Sequence, residues 1–230
     1  MTSDWEILSE REPWLIPRGS VNVLGPTSGS GSWVPKSVEF GRLFPILNSL
    51  LSRSRITPLK ISGESWTLFA WGDPDVDLAG WLSPTPLEVP PKGVFQEHRV
   101  LLDSFGGVNE RFNDPESTWL LNHIDALTLN AALSDASFIA DYDWAFQQHG
   151  LPIPIDLSAY YCLAREANGN TTLCHRVNGD ILMFAPDHSF DHLDRLEGCP
   201  EYTLYRIREA RSFQAWVERV AAQWADYVYA

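Results

Sequence analysis

The chain has 230 residues, 44% of them hydrophobic, with 17 Lys and Arg against 30 Asp and Glu for a formal net charge of −13. That length buries a substantial core, as one large domain or as a domain with an extension, and no segment approaches the ~20 apolar residues of a membrane-spanning helix. So acidic a field repels phosphate, which excludes nucleic acid and anionic membrane as partners and raises the rate of encounter with basic ones.

The charge is unevenly divided. Residues 1–60 hold seven Lys and Arg against five Asp and Glu, whereas residues 61–230 hold ten against twenty-five. The acidity therefore belongs to the body of the protein, where solubility alone is a sufficient reason for it. Asp4, Glu6, Glu10 and Glu12 stand where a secretory leader carries basic residues, so a cytoplasmic protein is expected. The cysteines Cys162, Cys174 and Cys199 are odd in number and lack C-x-x-C spacing, which argues against a disulfide framework and a thiolate zinc site and for buried small side chains.

In chain order, residues 25–32 (GPTSGSGS) read as a flexible linker that leaves the first thirty residues as an arm. They lack the lysine of a phosphate-binding loop. Residues 38–51 predict a helix interrupted near Pro45, and residues 66–71 (WTLFAW) a strand followed by an acidic turn over 72–77. Four prolines in residues 84–91 make a stiff extended connector. Residues 93–105 place Val94, His98, Leu101, Leu102 and Phe105 on one helical face, with Gly106-Gly107 as its C-terminal cap.

Residues 119–129 read as a strand and then a loop or short helix, and residues 131–148 as mostly helical, with Phe138, Tyr142 and Phe146 four apart. Segments 159–166, 171–177 and 180–184 are rich in aromatic, β-branched and apolar residues, and Asn168-Gly169 and Asn178-Gly179 separate them. Asn-Gly suits two-residue type I′ turns, so a three-stranded meander is expected. A last helix starts at Ser212 and runs to about Tyr227 with Phe213, Trp216, Val217, Val220 and Trp224 along one stripe. The expected class is α+β: an antiparallel-rich mixed sheet with a three-stranded meander, covered by helices, with residues 1–84 as an N-terminal extension carrying its own helix and strand.

The order of these features resembles the SUKH superfamily. The resemblance spans about residues 85–227 and rests on a helix ending in Phe-Gly-Gly (101–107), the tryptophan-bearing segment 119–121, the meander and a closing helix introduced by Ser-Phe-x-x-Trp (212–216). It implies a non-enzymatic SUKH-like α+β domain over residues 85–230, of the kind found in bacterial toxin-immunity proteins and yeast cell-wall regulators. Such a protein binds a cognate protein toxin, a nuclease or other nucleic-acid-acting toxin among them, and occludes its active region without a cofactor or metal. The shared positions are apolar or glycine, so the resemblance implies no catalytic residue. A monomer is expected for the free protein.

Acidic turns are the candidate contact surface, because carboxylates imitate phosphate toward the Lys and Arg of a nucleic-acid-acting toxin. They are Asp73, Asp75 and Asp77 in the first turn and Asp187, Asp191, Asp194, Glu197 and Glu201 in residues 187–201, where Arg195 is the one base. The enzymatic alternative is a metal-assisted hydrolase around His188 and His192. On a helix their spacing of four would put both on one face, but the segment follows Pro186 and lacks a H-E-x-x-H glutamate, so a solvated acidic loop is the plainer reading. No G-x-S-x-G elbow supports a serine hydrolase. A third reading is an intracellular scaffold or regulator.

Overall fold

A computed structural model describes residues 3–11, 21–24, 33–120, 123–188 and 190–229. It is an α+β fold in which the strands, expected in one sheet, divide between two, with every ladder antiparallel among the described residues. The first sheet has the order β1-β2-β3-β4-β5, with β1 Val21–Val23, β2 Arg55–Ile61, β3 Glu64–Trp71, β4 Ala79–Pro84 and β5 Glu110–Phe112. The second has the order β10-β11-β9-β8-β7-β6, with β6 His123–Ala126, β7 Tyr160–Glu166, β8 Thr171–His175, β9 Ile181–Phe184, β10 Leu193–Arg195 and β11 Leu204–Ile207. Short turns join β2 to β3, β7 to β8 and β8 to β9, whereas residues 85–109 and 127–159 carry helices between the antiparallel neighbours β4 and β5 and β6 and β7.

Alternation along the strands assigns each face. In β3, Phe69 and Trp71 enter the main core while Leu68 and Ala70 enter a smaller one under α1 (Asp4–Arg11), where Trp5 and Leu8 are buried. The N-terminal segment is thus no free arm. Ser3 and Glu6 close its helix reciprocally, each backbone N–H bonded to the other's side-chain oxygen at 2.7 and 3.1 Å. Arg55 Nε then holds Asp4 at 2.9 Å. The linker read at residues 25–32 lies outside the described residues.

In β9, Ile181 and Met183 face the main core while Leu182 and Phe184 face a third cluster on the sheet's other side. The residues read as one helix over 131–148 fall into three pieces, α5 Leu129–Ala132, the 3-10 helix Ala136–Tyr142 and α6 Asp143–Gln147, and the last two cover that cluster. Asp135, whose carboxylate accepts from Ser137 N–H at 3.0 Å, starts the middle piece afresh, as an Asp cap does.

The main core lies between the two sheets and four helices, α2 Val38–Leu43, α3 Pro45–Ser52, α4 Gln96–Ser104 and α7 Phe213–Val228. Pro45 falls at the first position of α3, so the expected interruption is a break between two helices. Ser212 caps α7 by accepting from Ala215 N–H, and the whole predicted stripe from Phe213 to Trp224 is buried. Residues on both sides of position 85 share this core, with Phe40, Trp71 and Trp81 beside Leu101, Tyr161 and Trp224.

Residues 108–112 join the sheets. Val108 pairs with Ala126 at the edge of the second sheet through bonds of 2.7 and 2.8 Å, Asn109 N–H reaches Leu82 O at 2.9 Å, and β5 completes the first sheet. Gly106-Gly107 is not the expected helix cap. Phe105 already leaves α4 in extended conformation, and the glycines let the chain pass between two backbones. A Cβ on Gly106 would lie 2.0 Å from Pro84 O, and one on Gly107, at φ +91, would lie 2.6 Å from Leu127 C.

The meander forms as expected, but its turns are not type I′, since neither Asn168 nor Asn178 has a positive φ. Glu166 O accepts from Gly169 N–H at 3.0 Å and Glu166 N–H donates to Asn170 O, a three-residue loop with glycine in the left-handed position. The second loop has four residues and closes from Gly179 N–H to His175 O at 3.1 Å. His175 Nδ1 accepts from the N–H groups of Val177 and Asn178, and Asn178 Oδ1 accepts from Asp180 N–H at 3.0 Å, so two side chains hold the loop while Gly179 takes the positive φ.

Candidate functional site

The connection from β9 to β11, residues 185–203, carries the second acidic segment around the end of the second sheet and walls a cleft on each face. Side-chain alternation decides which residues reach which cleft. On the face of Leu182 and Phe184, a cleft of about 630 Å³ is lined by Tyr142, Trp144, His149, Arg195, Glu201 and Tyr202 among others. On the main-core face, a cleft of about 320 Å³ includes Thr172, Met183 and Ile207 from the sheet and Phe190, Asp191 and His192 from the connection.

The larger cleft is edged by aromatic rings that the core leaves free. Trp144 is 56% exposed and Tyr202 53% exposed, although both are large and partly apolar. Tyr202 also has φ +60, a conformation uncommon for a non-glycine residue, and its N–H is held by the Tyr205 hydroxyl at 2.8 Å. Phe138, Tyr142 and Phe146 show why the sequence points elsewhere: their four-residue spacing marks a core stripe, and they do pack under the sheet. Trp144 interrupts that stripe and has no periodic signal of its own.

The predicted acids divide by environment. Asp187, Asp191, Glu197 and Glu201 are exposed, whereas Asp194 lies in β10 and pairs with Arg208 Nη2 across the β10–β11 ladder at 2.8 Å. That bond holds the Asp194 carboxyl below its ordinary range. Asp73, Asp75 and Asp77 are exposed on the β3–β4 turn of the other sheet, where they shape the turn: Asp77 Oδ1 accepts from Asp73 N–H at 2.5 Å and Asp73 Oδ1 from Asp75 N–H at 2.9 Å. The structure therefore does not bring the two acidic groups onto one sheet.

Residues 185–188 and 190–192 are irregular rather than helical, so the spacing of four does not place His188 and His192 on one helical face. His188 Nδ1 meets Asp187 Oδ2 at 2.7 Å. His192 is stacked on Trp119, centroids 4.9 Å apart, and on Phe190, 5.5 Å apart. Among the described residues no three His, Cys, Asp or Glu side chains are grouped to share an ion. Cys162, Cys174 and Cys199 are free and buried, and burial pushes the first two thiols up to about 11 and about 12, away from the thiolate that nucleophilic chemistry needs.

One histidine, His98 on α4, is held far from its ordinary range. It is fully buried, its Nε2–H donates to Leu127 O at 2.9 Å and its Nδ1 accepts from the Tyr161 hydroxyl at 2.9 Å. Burial lowers its pKa to about 4, so the ring is neutral and both nitrogens are satisfied. It lines neither cleft at the second acidic segment and is a structural side chain.

Comparison with protein-family models, curated proteins and solved structures finds no match. No helix among the described residues is long and apolar enough to cross a membrane.

Proposed function

We propose that the protein is an immunity-type binding protein, SUKH-like in the order of its elements, that neutralises a cognate protein toxin in the cytoplasm by covering its active region. The observation that carries this reading is the larger of these two clefts, where Trp144 and Tyr202 stand exposed on a lining that also holds Arg195 and Glu201. Aromatic and arginine anchors supply most of the energy in protein interfaces, and a charged rim governs encounter rate and choice of partner. A basic, nucleic-acid-acting toxin matches the −13 charge of the chain. No cofactor enters this reading.

The test is stoichiometric binding to the product of the adjoining reading frame, with toxin activity as the second readout. Trp144→Ala and Tyr202→Ala should each weaken the complex by roughly thirtyfold or more, the size of an interface hot spot. Wild-type affinity in both variants, or no complex with that product, sinks the proposal.

A further inference from the structure

The smaller cleft has a chemistry of its own. Its aromatic wall is the stack of Trp119, His192 and Phe190, whose planes are within 17° of parallel at each step. Three carboxylates line the same cleft, those of Glu116, Glu166 and Asp191, and none forms an ion pair among the described residues. Glu166 is only 7% exposed, and Asn170 Nδ2 donates to its Oε2 at 3.3 Å. The other acids of the neighbourhood are answered: Asp194 by Arg208 and Glu209 by Arg219 at 3.0 Å.

His192 does not supply the missing positive charge, because burial lowers its pKa. Burial is also the largest influence on Glu166 and raises its carboxyl, outweighing the hydrogen bonds of Asn168 and Asn170 and the charges of His188 and Arg111, which act to lower it. The wall already attracts one cation of this chain, since the Arg219 guanidinium lies 5.9 Å from the Trp119 ring centroid.

We propose that this cleft seats an arginine side chain presented by the protein partner. A planar guanidinium meets both requirements of the site: it stacks on aromatic faces and its fork of N–H donors pairs with carboxylates, which a compact ammonium does less well. The assignment deepens the toxin-binding reading and rests on it for the source of the arginine. It places a second anchor on the main-core face of the sheet, so the partner grips the connection of residues 185–203 from both sides.

The test is a titration of the full chain with N-acetyl-arginine amide, with the citrulline amide as uncharged isostere and the lysine amide as point-charge control. The Trp119 indole N–H and the His192 ring protons are followed by NMR. The arginine probe should shift both, with the citrulline probe at least about tenfold weaker and the lysine probe between them. Glu166→Gln and Trp119→Leu should each weaken the arginine probe at least about fivefold while the amide spectrum elsewhere stays native. Either variant suffices if the other fails to fold.

Equal binding of arginine and citrulline probes, or shifts confined to other parts of the molecule, overturns the assignment. Tight binding of the adjoining-frame product beside a flat arginine titration removes this cleft and leaves the toxin reading. The reverse result keeps the cleft and removes that reading.

Discussion

Trp81 of β4 and Trp224 of α7 meet edge to face in the middle of the main core, their ring centroids 5.0 Å apart and their planes at 66°. Trp71 completes the group, 5.3 Å from Trp81 and 6.0 Å from Trp224. Residues before and after position 85 therefore bury the same surface. Trp224→Ala should cost about 3–5 kcal/mol, the usual range for emptying a core tryptophan site. Urea unfolding followed by tryptophan fluorescence and by circular dichroism should give one shared transition. Two separated transitions would show that residues 1–84 fold on their own.

Glu218 of α7 ties the same halves by polar bonds. Its carboxylate accepts from Ile46 N–H at 2.9 Å and from Leu47 N–H at 3.1 Å, two of the donors that the start of α3 leaves without a helical partner. Phe44, the residue at the cap position, offers no side-chain bond of its own. Glu218→Ala should destabilise the fold by about 1–2 kcal/mol, and Glu218→Gln by less, because its amide oxygen still accepts. Equal losses in the two variants would mean that packing of the stem, not the cap, is what matters.

His98 makes stability depend on pH. Unfolded, the ring takes a proton near its ordinary 6.5; folded, it stays neutral down to about 4. Between those values the unfolded chain binds the extra proton, so stability falls as pH drops through this window, by at most about 3 kcal/mol. Glu110 acts oppositely: burial raises its pKa to about 7, so the folded chain keeps a proton that the unfolded one releases above 4.5. The two are separated by comparing wild type with Glu110→Gln, in which the acid-side loss should steepen. An NMR midpoint near 6.5 for the His98 ring would contradict the buried neutral imidazole.

Gly107 sits against Leu127, which itself has φ +59 and whose carbonyl is held by His98. Gly107→Ala should cost more than about 2 kcal/mol, since a side chain there meets both a disfavoured backbone conformation and a backbone neighbour. Gly150, at φ +64 with open space around it, is the control. Gly150→Ala carries the conformational cost alone and should lower the melting temperature by less.

Reversing Asp187, Glu197 and Glu201 to lysine leaves the Asp194–Arg208 pair intact and removes the exposed charge along the connection. Association with the adjoining-frame product should slow and lose much of its salt dependence, while the dissociation rate changes less. Identical association rates at low salt would place the contact elsewhere.

Local signals account for what could be read without coordinates. The stripe of α7 and its Ser212 cap, the helix break at Pro45 and the three meander segments are each specified by side chains a few residues apart, and each is found within a residue or two of its expected bounds. The turn type of the meander was not so specified, because loop length depends on where the two strands come into register. The acids of residues 187–201 could be named from the sequence, but not that Asp194 lies in a strand and is paired with Arg208.

Both clefts are products of tertiary structure. Trp119 and His192 stack across 73 positions of chain, and Trp144 faces solvent only because its neighbours along the 3-10 helix and α6 turn their rings to the sheet. The sequence by itself determined which segments coil, which extend and where the negative charge accumulates, since periodicity and composition act over a turn or a strand. Which strands share a sheet, how residues 108–112 bridge the two edges and which aromatic rings stay uncovered were decided by packing, because burial is won between surfaces far apart in the chain.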